Sequence, residues 1–192
     1  SANDIKRNYF QLFPSAYLSF QLPKDNELQL NYTRRINRPR GWIINNHVDR
    51  TDPTNISYGN PYIDPEYSNN VEFNYLKTWE YHTISVGAFY SYTENVIQRV
   101  QKLSDNGVME STWDNITESQ SAGIDLTVKN RLFNNYLDLT TTATAYYYQL
   151  GENEDYNIAK TETFSWNARI NANVKIINNL SAQLTGYYNS PR

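Results

Sequence analysis

Apolar and polar residues alternate without a break over residues 163–176, TFSWNARINANVKI. One face carries Phe164, Trp166, Ile170 and Val174, whereas the other carries Ser, Asn, Arg and Lys. This period of two predicts a β-strand of about thirteen residues, more than twice the ~5–6 usual in soluble proteins. At about 3.3 Å per residue and a tilt of about 45°, the strand spans roughly 30 Å, the thickness of a bilayer's hydrocarbon core.

The same alternation recurs in seven more segments, which predicts about eight main strands. They cover 15–22, 28–36, 71–79, 83–92, 121–129, 137–147 and 180–188. The connections 23–27, near 80, 130–135 and 177–179 are short, whereas 38–69, 93–115 and 150–161 are longer. Tight turns on one side and longer loops on the other are typical of an outer-membrane barrel. We therefore predict an all-β antiparallel up-and-down meander with a long outer loop at 38–69 and an outer hairpin at 93–115, which turns at Asp105-Asn106-Gly107.

Composition narrows the class of protein. Only 39% of residues are hydrophobic and the mean hydropathy is −0.73, yet 17 Tyr and 4 Trp are too many aromatics for a disordered chain. The net charge of −3 argues against a nucleic-acid surface, and the absence of Cys excludes disulfides and thiolate metal sites. No run approaches ~18 apolar residues, so no transmembrane helix is expected, but a β-barrel needs only alternate residues to be apolar.

Aromatic residues test the orientation of the strands. If the long loops face outside, the outer strand ends should carry an aromatic girdle on the apolar face, because amphipathic rings favour the membrane–water boundary. The residues expected there are Phe10, Tyr90, Tyr92, Tyr147, Phe164, Trp166 and Tyr188. Trp79 falls at the opposite end, and the fifth strand departs from the pattern with Glu118 and Gln120.

Alternation alone does not tell whether the apolar face meets a protein core or lipid. A soluble β-sandwich or a lipocalin-like ligand-binding barrel would turn it inward. The polar face is rich in Asn, Ser, Thr and Gln with few charges, as expected of a wet lumen, whereas a soluble surface usually carries more Lys and Glu. This composition favours the membrane interpretation.

Two motifs carry a resemblance to a known family. NYTRRINRPRGW (31–42) followed by YGNPYIDPEYSNNVEFNY (58–75) resembles the C-terminal barrel of TonB-dependent-receptor-like proteins in the outer membrane protein beta-barrel family. The segments NVIQRVQKLSDNGV and SAGIDLTVK are similar too, so the resemblance covers about 10–190. It implies a bacterial outer-membrane location and uptake of a siderophore, glycan or peptide energised by TonB, with no enzymatic activity and no cofactor.

The resemblance also sets expectations about the extent of the chain. Members of the family carry a signal, often a carboxypeptidase-like extension, a plug and about 22 strands, and they usually end in an aromatic residue. This chain starts Ser1-Ala2-Asn3 and ends NSPR, so we expect 1–192 to be a section of a larger barrel. The expected partners are outer-membrane lipid and lipopolysaccharide, the TonB complex through parts outside this chain, and a surface lipoprotein.

Candidate site residues fall in two groups. Arg34, Arg35, Arg38 and Arg40 cluster at the outer end of the second strand, where they could meet lipopolysaccharide phosphates or anchor the long loop by pairing with Asp64 or Glu66. Asp125, Lys129, Arg169 and Lys175 have lumen-facing parity, and could tune solute passage or form interstrand pairs. A metal site from Asp49, Asp52, Asp64 and Glu66 has little support, because their spacing matches no known loop.

Two alternatives to a transporter section stay open at this point. A complete eight-stranded barrel could close and act as an anchor or adhesin through its loops. The soluble lipocalin-like carrier described above is the other.

Overall fold

A computed structural model describes residues 11–104, 107–177 and 179–191. The strands are β1 (Ser15–Leu22), β2 (Asn26–Asn37), β3 (Asp49–Asp52), β4 (Asn55–Ser57), β5 (Glu66–Thr78), β6 (His82–Leu103), β7 (Met109–Leu132), β8 (Leu137–Leu150), β9 (Thr161–Ile177) and β10 (Leu180–Asn189). A four-residue helix, α1 (Gly41–Ile44), and a 3₁₀ turn (Glu154–Tyr156) complete the elements. Neither is long and apolar enough to cross a membrane, nor is any other helix in the described ranges.

Eight strands form one antiparallel meander in the order β1-β2-β5-β6-β7-β8-β9-β10. This confirms the predicted fold class and its eight main strands. Within the described ranges β1 and β10 do not pair, so the sheet is open at these two edges. The remaining strands lie off the meander: β3 pairs with β4, and β4 runs parallel to β7.

The register gathers most of the apolar residues of the eight meander strands on one face. Leu30 of β2 lies opposite Leu18 of β1 and Phe73 of β5, because side chains alternate across a sheet with a period of two. Among the described residues no protein core covers this face: Leu18 is 50% exposed, Ile124 61% and Ile170 50%. This exposure disfavours the soluble alternatives, which require these side chains to be buried.

Short turns close the inner end of the meander. Lys24 and Asp25 join β1 to β2 with φ of 64° and 57°, and consecutive positive φ angles are the geometry that matches the right-handed twist of a hairpin. The turn between β7 and β8 also has consecutive positive φ angles, at Phe133, Asn134 and Asn135. Residue 178, in the predicted turn 177–179, lies outside the described residues.

The two long connections contain regular structure. Residues 93–115 form a hairpin, in which β6 and β7 continue as paired strands to Leu103 and from Met109. Asp105 and Asn106 of the predicted turn lie outside the described residues. The segment 38–69 contains α1, β3 and β4, and β5 begins within it at Glu66. These short elements were missed because Pro and Asn interrupt any period of two there.

Candidate ligand-binding surface at the outer loops

The hairpin of β6 and β7 projects well beyond the rest of the sheet. Asn95 adopts φ 57° where the register of the two strands shifts, and pairing then resumes from Val96 with Thr117 to Leu103 with Met109. Eight residues at about 3.3 Å each extend the hairpin by roughly 26 Å. It therefore offers a surface outside the band of apolar residues.

The segment 38–65 folds onto this hairpin and widens it into a small outer sheet. Residues 55–57 pair in parallel with 109–111, and the amide of Tyr58 donates to the carbonyl of Ser111 at 3.1 Å. The amide of Met109 donates to the carbonyl of Thr54 at 2.9 Å. The outer sheet thus runs β3-β4-β7-β6, and Ser111 at its centre is only 1% exposed.

Gly59 permits a close crossing of two backbone segments. Its amide donates to the carbonyl of Asn45 at 2.9 Å, and the next amide, of Asn60, donates to the carbonyl of Ile43 at 2.8 Å. A Cβ at Gly59 would lie under 3.0 Å from both carbonyl oxygens. Only glycine allows this approach without a shift of backbone.

Asn115 fastens the end of the segment to the hairpin. Its Oδ1 accepts from the amide of Asp64 at 2.7 Å, and its Nδ2 donates to the carbonyls of Asp64 at 2.9 Å and Asn95 at 2.8 Å. Nearby, the Glu66 carboxylate accepts from the amide of Ile97 at 2.7 Å. Side chains of the hairpin and of β5 thus supply hydrogen-bond partners that the irregular backbone lacks.

Buried apolar residues are found where these segments meet. Ile43, Ile63, Tyr67, Val100 and Ile116 are each at most 8% exposed, and no other hydrophobic side chain in the described ranges is classed as buried. We call residues 38–65, 94–117 and 151–160 the outer loop package. It contains four of these five buried residues, while Tyr67 lies next to it in β5. The outer loop package is therefore a folded unit with a small core, which the rest of the described sheet lacks.

The segment 151–160 packs on the hairpin through polar contacts. The Tyr156 hydroxyl donates to the Asp114 carboxylate, and the Asn153 Nδ2 donates to the Ile116 carbonyl at 2.5 Å. The hydrogen bond to Asp114, together with burial and the charge of Asp114, raises the pKa of Tyr156 to about 12. Burial and a 3.1 Å hydrogen bond to Glu110 likewise raise the pKa of the Tyr58 hydroxyl.

A cleft of about 260 Å³ opens over the outer sheet. Trp42 of α1 and Trp113 of β7 meet edge to face in it, with ring centroids 5.1 Å apart and planes at 81°. Polar side chains complete the lining; they include Asn45, His47, Asp49 and Arg99. Aromatic rings beside a few polar groups are the usual composition of a small-molecule site.

The four predicted arginines are close in sequence but do not form one site. Arg34 lies on the apolar face with its guanidinium 5.6 Å above the Tyr67 ring, and its buried Nε has no hydrogen-bond partner among the described residues. Arg35 has the opposite parity, facing Ser68 across the strands, while Arg38 and Arg40 follow β2. The carboxylate of Glu66, one of the predicted partners, accepts instead from the Asn37 side chain at 2.5 Å.

The predicted lumen residues share the polar face of the sheet, and all four are exposed. They are Asp125, Lys129, Arg169 and Lys175. Asp125 accepts a hydrogen bond from Thr144 at 2.6 Å, and the Arg169 Nε donates to Asn171 at 3.3 Å. Between described residues, ion pairs are Arg131–Asp138 at 3.4 Å and Lys160–Glu162 at 2.5 Å, and neither involves this set.

The residues considered for a metal site are not brought together. Asp49 and Asp52 each accept from the Thr two positions later, at 2.6 and 2.7 Å. No group of three or more acidic or histidine side chains able to hold a metal ion is found in the described part of the chain.

Aromatic residues cross the outer end of the apolar face along one register line. Tyr90, Tyr147 and Phe164 fall on it, and Trp166 stacks on Tyr188 with ring centroids 4.8 Å apart. Tyr92 lies one step further out, and Phe10 is outside the described residues. Gln120, an exception to the pattern, accepts a hydrogen bond from the Tyr90 hydroxyl at 3.1 Å. Trp79 lies at the inner end, beside the turn to β6, with Lys77 Nζ 5.4 Å from its ring.

Sequence reasoning missed the residues of the outer loop package and an aromatic pair on the polar face. Phe89 and Tyr146 flank Gly123, whose missing side chain makes room for the Phe89 ring. Each ring stands at a position where the alternation predicts a polar residue, and this departure was the signal that the sequence offered. Trp42 and Trp113 are 71 positions apart, and no periodic pattern connects them.

Solved structures share this fold. The siderophore receptor PirA from Pseudomonas aeruginosa matches with a TM-score of 0.74 at 17% identity, covering 93% of this chain and 33% of that one. The ferric enterobactin receptor PfeA from the same organism gives 0.66 at 17%, covering 90% and 27%, and PirA from Acinetobacter baumannii 0.55 at 12%, covering 90% and 36%. The chain thus spans about a third of the length of these receptors, and at such identity they show the fold alone.

Sequence comparison assigns the family. No curated protein matches the chain. The family model described as the outer membrane protein beta-barrel family matches residues 1–192. The chain therefore belongs to the outer membrane protein beta-barrel family and lies in the bacterial outer membrane.

Proposed function

We propose that this chain supplies part of the wall and the outer loops of a TonB-dependent receptor that takes up a nutrient. The observation that carries the proposal is the outer loop package, a folded unit with a small core and an aromatic cleft, set on the outer end of a sheet with one apolar and one polar face. A barrel used only as an anchor has no need of such a preformed outer surface, and an adhesin built as a complete small barrel would not leave the described edge strands β1 and β10 unpaired with each other.

The open edges support a section of a larger barrel over a complete small one. β1 and β10 each have one strand neighbour among the described residues, and an unpaired edge is normally protected or closed. The solved receptors that share the fold are about three times as long. Further strands of the same protein would pair with both edges, and coupling to TonB would lie in parts outside this chain.

The polar face provides the wall of the solute path. Its Asn, Ser and Thr side chains are interrupted by the exposed charges of Asp125, Lys129, Arg169 and Lys175. These four residues would act on the solute after its release from the outer loop package. A surface lipoprotein that covers the package is the remaining partner in this proposal.

Arg34 is the residue of the arginine cluster best placed for lipopolysaccharide. It lies at the outer end of the apolar face and is only partly buried. The accessible part of its guanidinium would donate to a phosphate oxygen. Replacing Arg34 by Gln should reduce the lipopolysaccharide that copurifies with the protein, whereas Arg131→Gln at the inner end should not. Equal lipopolysaccharide in both variants would refute the contact.

Growth of a deletion strain tests the proposed function. The gene for the full-length protein is deleted and restored, and cells are grown with ferric siderophores as sole iron source, or glycans or peptides as sole carbon source. Growth on one of these classes should require both the protein and TonB. The Gly59→Ala variant, which disturbs the outer loop package, should grow more slowly at low solute than Gly41→Ala, where nothing lies within 4 Å of an added Cβ. Growth that needs the protein but not TonB would refute the proposal.

A further inference from the structure

We propose that the cleft over the outer sheet binds a neutral sugar ring, with Trp42 as its stacking platform. This inference rests on the proposed function and names a glycan as the substrate class. It depends on the exposed position of Trp42, on the polar side chains around it that have unused hydrogen-bonding atoms, and on the charge and volume of the cleft.

Trp42 is presented to solvent in a fixed orientation. It is 57% exposed, although Trp is one of the residues most worth burying. Its ring is held edge to face against Trp113, which is anchored in the paired outer hairpin. Asn60 Nδ2 donates to the Trp113 carbonyl at 3.1 Å and ties the loop to the same point. One indole face can therefore receive a flat ligand without first being ordered.

A pyranose ring matches such a platform. The C–H groups on one side of the sugar carry partial positive charge and are attracted to the negative π face of an aromatic ring. The same contact removes apolar area from water. The hydroxyl groups at the edge of the sugar then need hydrogen-bond partners, because burying an unpaired hydroxyl is costly.

The cleft supplies these partners. Arg99 lies opposite Trp113 in the register, is exposed, and its guanidinium has no hydrogen bond or ion pair with another described residue. Asp49 uses one carboxylate oxygen for Thr51 and leaves the other without a donor from the described part of the chain. Asn45 engages its Oδ1 with the His47 amide at 3.1 Å, so its Nδ2 remains to donate. Donors and acceptors on both sides suit a polyhydroxylated ligand.

Charge and size argue for a neutral ligand of one or two rings. Hydrogen bonds from the hydroxyl and the amide of Thr51, together with a smaller electrostatic effect of His47, lower the pKa of Asp49. Asp49 is therefore ionised and offsets the positive Arg99. An anionic iron chelate would favour a surplus of cations, which the cleft lacks. The volume of about 260 Å³ lies below the ~300–1,000 Å³ typical of drug-sized sites.

Direct binding to the purified full-length protein tests the inference. Calorimetry is performed in detergent with four neutral disaccharides (maltose, cellobiose, lactose and chitobiose) and with ferric enterobactin as an anionic comparison. At least one disaccharide should bind. Trp42→Ala should weaken that binding about tenfold, the effect of losing one stacking contact and the area it buries.

Two further variants separate loss of contact from loss of structure. Arg99→Met keeps the length of the side chain but loses the guanidinium donors, so it should also weaken binding while leaving the outer loop package intact. Trp79→Ala removes another exposed Trp, 48% exposed at the inner end of the sheet, and should change the affinity less than about twofold. Unchanged binding in both Trp42→Ala and Arg99→Met would overturn the inference, as would binding of none of the four disaccharides.

The outcomes distinguish this inference from the proposed function. TonB-dependent growth without disaccharide binding would refute the sugar-binding site but would still support the TonB-dependent receptor. Disaccharide binding that depends on Trp42, in cells whose growth is independent of TonB, would support the sugar site and refute the receptor.

Discussion

Replacing Gly59 by Ala should loosen the outer loop package and leave the barrel wall intact. An added Cβ would lie under 3.0 Å from the carbonyl oxygens of Ile43 and Asn45, and 2.9 Å from the Asn45 amide nitrogen. These are backbone atoms and cannot rotate away. The segment must move apart, which breaks the hydrogen bonds from Gly59 to Asn45 and from Asn60 to Ile43.

The magnitude follows from these two hydrogen bonds. Each contributes about 0.5–1.5 kcal/mol net, and more where a partner stays buried and unsatisfied, so local opening should become easier by about 2–3 kcal/mol. Because 1.4 kcal/mol is a factor of ten, the open population should rise about 30- to 150-fold.

Hydrogen exchange of the full-length protein in lipid nanodiscs measures this population. The amides of Gly59 and Asn60 should exchange about 30- to 150-fold faster in Gly59→Ala, since exchange reports local opening. The amides of β8 and β9 should be unchanged. Gly41→Ala is the matched control, because nothing lies within 4 Å of its added Cβ. If Gly59→Ala exchanges like Gly41→Ala, the crossing of the two backbone segments is not as described.

Three further changes test other parts of the molecule. Asn115→Ala removes three hydrogen bonds that hold Asp64 and Asn95, so limited proteolysis should cut the segment 38–65 faster in this variant. Tyr156→Phe should remove a stabilisation of the outer loop package that is complete below pH ~10 and is lost as pH rises towards 12, because the folded-state pKa lies above the ordinary value of 10. Ile170→Lys, on the apolar face, should cost about 2–4 kcal/mol in a lipid bilayer, whereas Asn171→Lys on the polar face should cost little.

Each of these expectations has a measurement that can contradict it. Cleavage of the Asn115→Ala variant at the wild-type rate would show that the Asn115 side chain is not needed to hold the segment 38–65 in place. If the exchange protection of the 151–160 amides falls equally with pH in wild type and in Tyr156→Phe, the Tyr156 hydroxyl does not stabilise the outer loop package in the predicted way. For the two lysine variants, equal urea midpoints in lipid vesicles would mean that residues 170 and 171 do not face different solvents.

The long strands were predictable because the period of two reports a property of the whole sheet. Every residue from Phe164 to Ile176 obeys it, since lipid on one face and water on the other act on each position separately. The predicted ends of the strands were less accurate. The pairing of β6 and β7 continues to Leu103, beyond the apolar band, where no second solvent enforces alternation.

The outer loop package was not predictable in the same way. Its contacts join positions far apart in sequence, such as Trp42 with Trp113 and Tyr156 with Asp114, and each depends on one side chain meeting another. Gly59 and Asn115 look like ordinary loop and strand residues until the backbone carbonyls around them are seen. The sequence motif at 58–75 pointed to the family but not to the cleft.

The central claim, that the apolar face meets lipid and the polar face meets water, is tested most directly by spin labels. The chain contains no Cys, so single substitutions along β9 can be labelled at Trp166, Asn167, Ile170, Asn171, Asn173 and Val174 of the full-length protein in lipid bilayers. Labels at 166, 170 and 174 should collide more with oxygen, which concentrates in hydrocarbon, and those at 167, 171 and 173 more with a water-soluble nickel complex. A reversed pattern, or no alternation, would contradict the account.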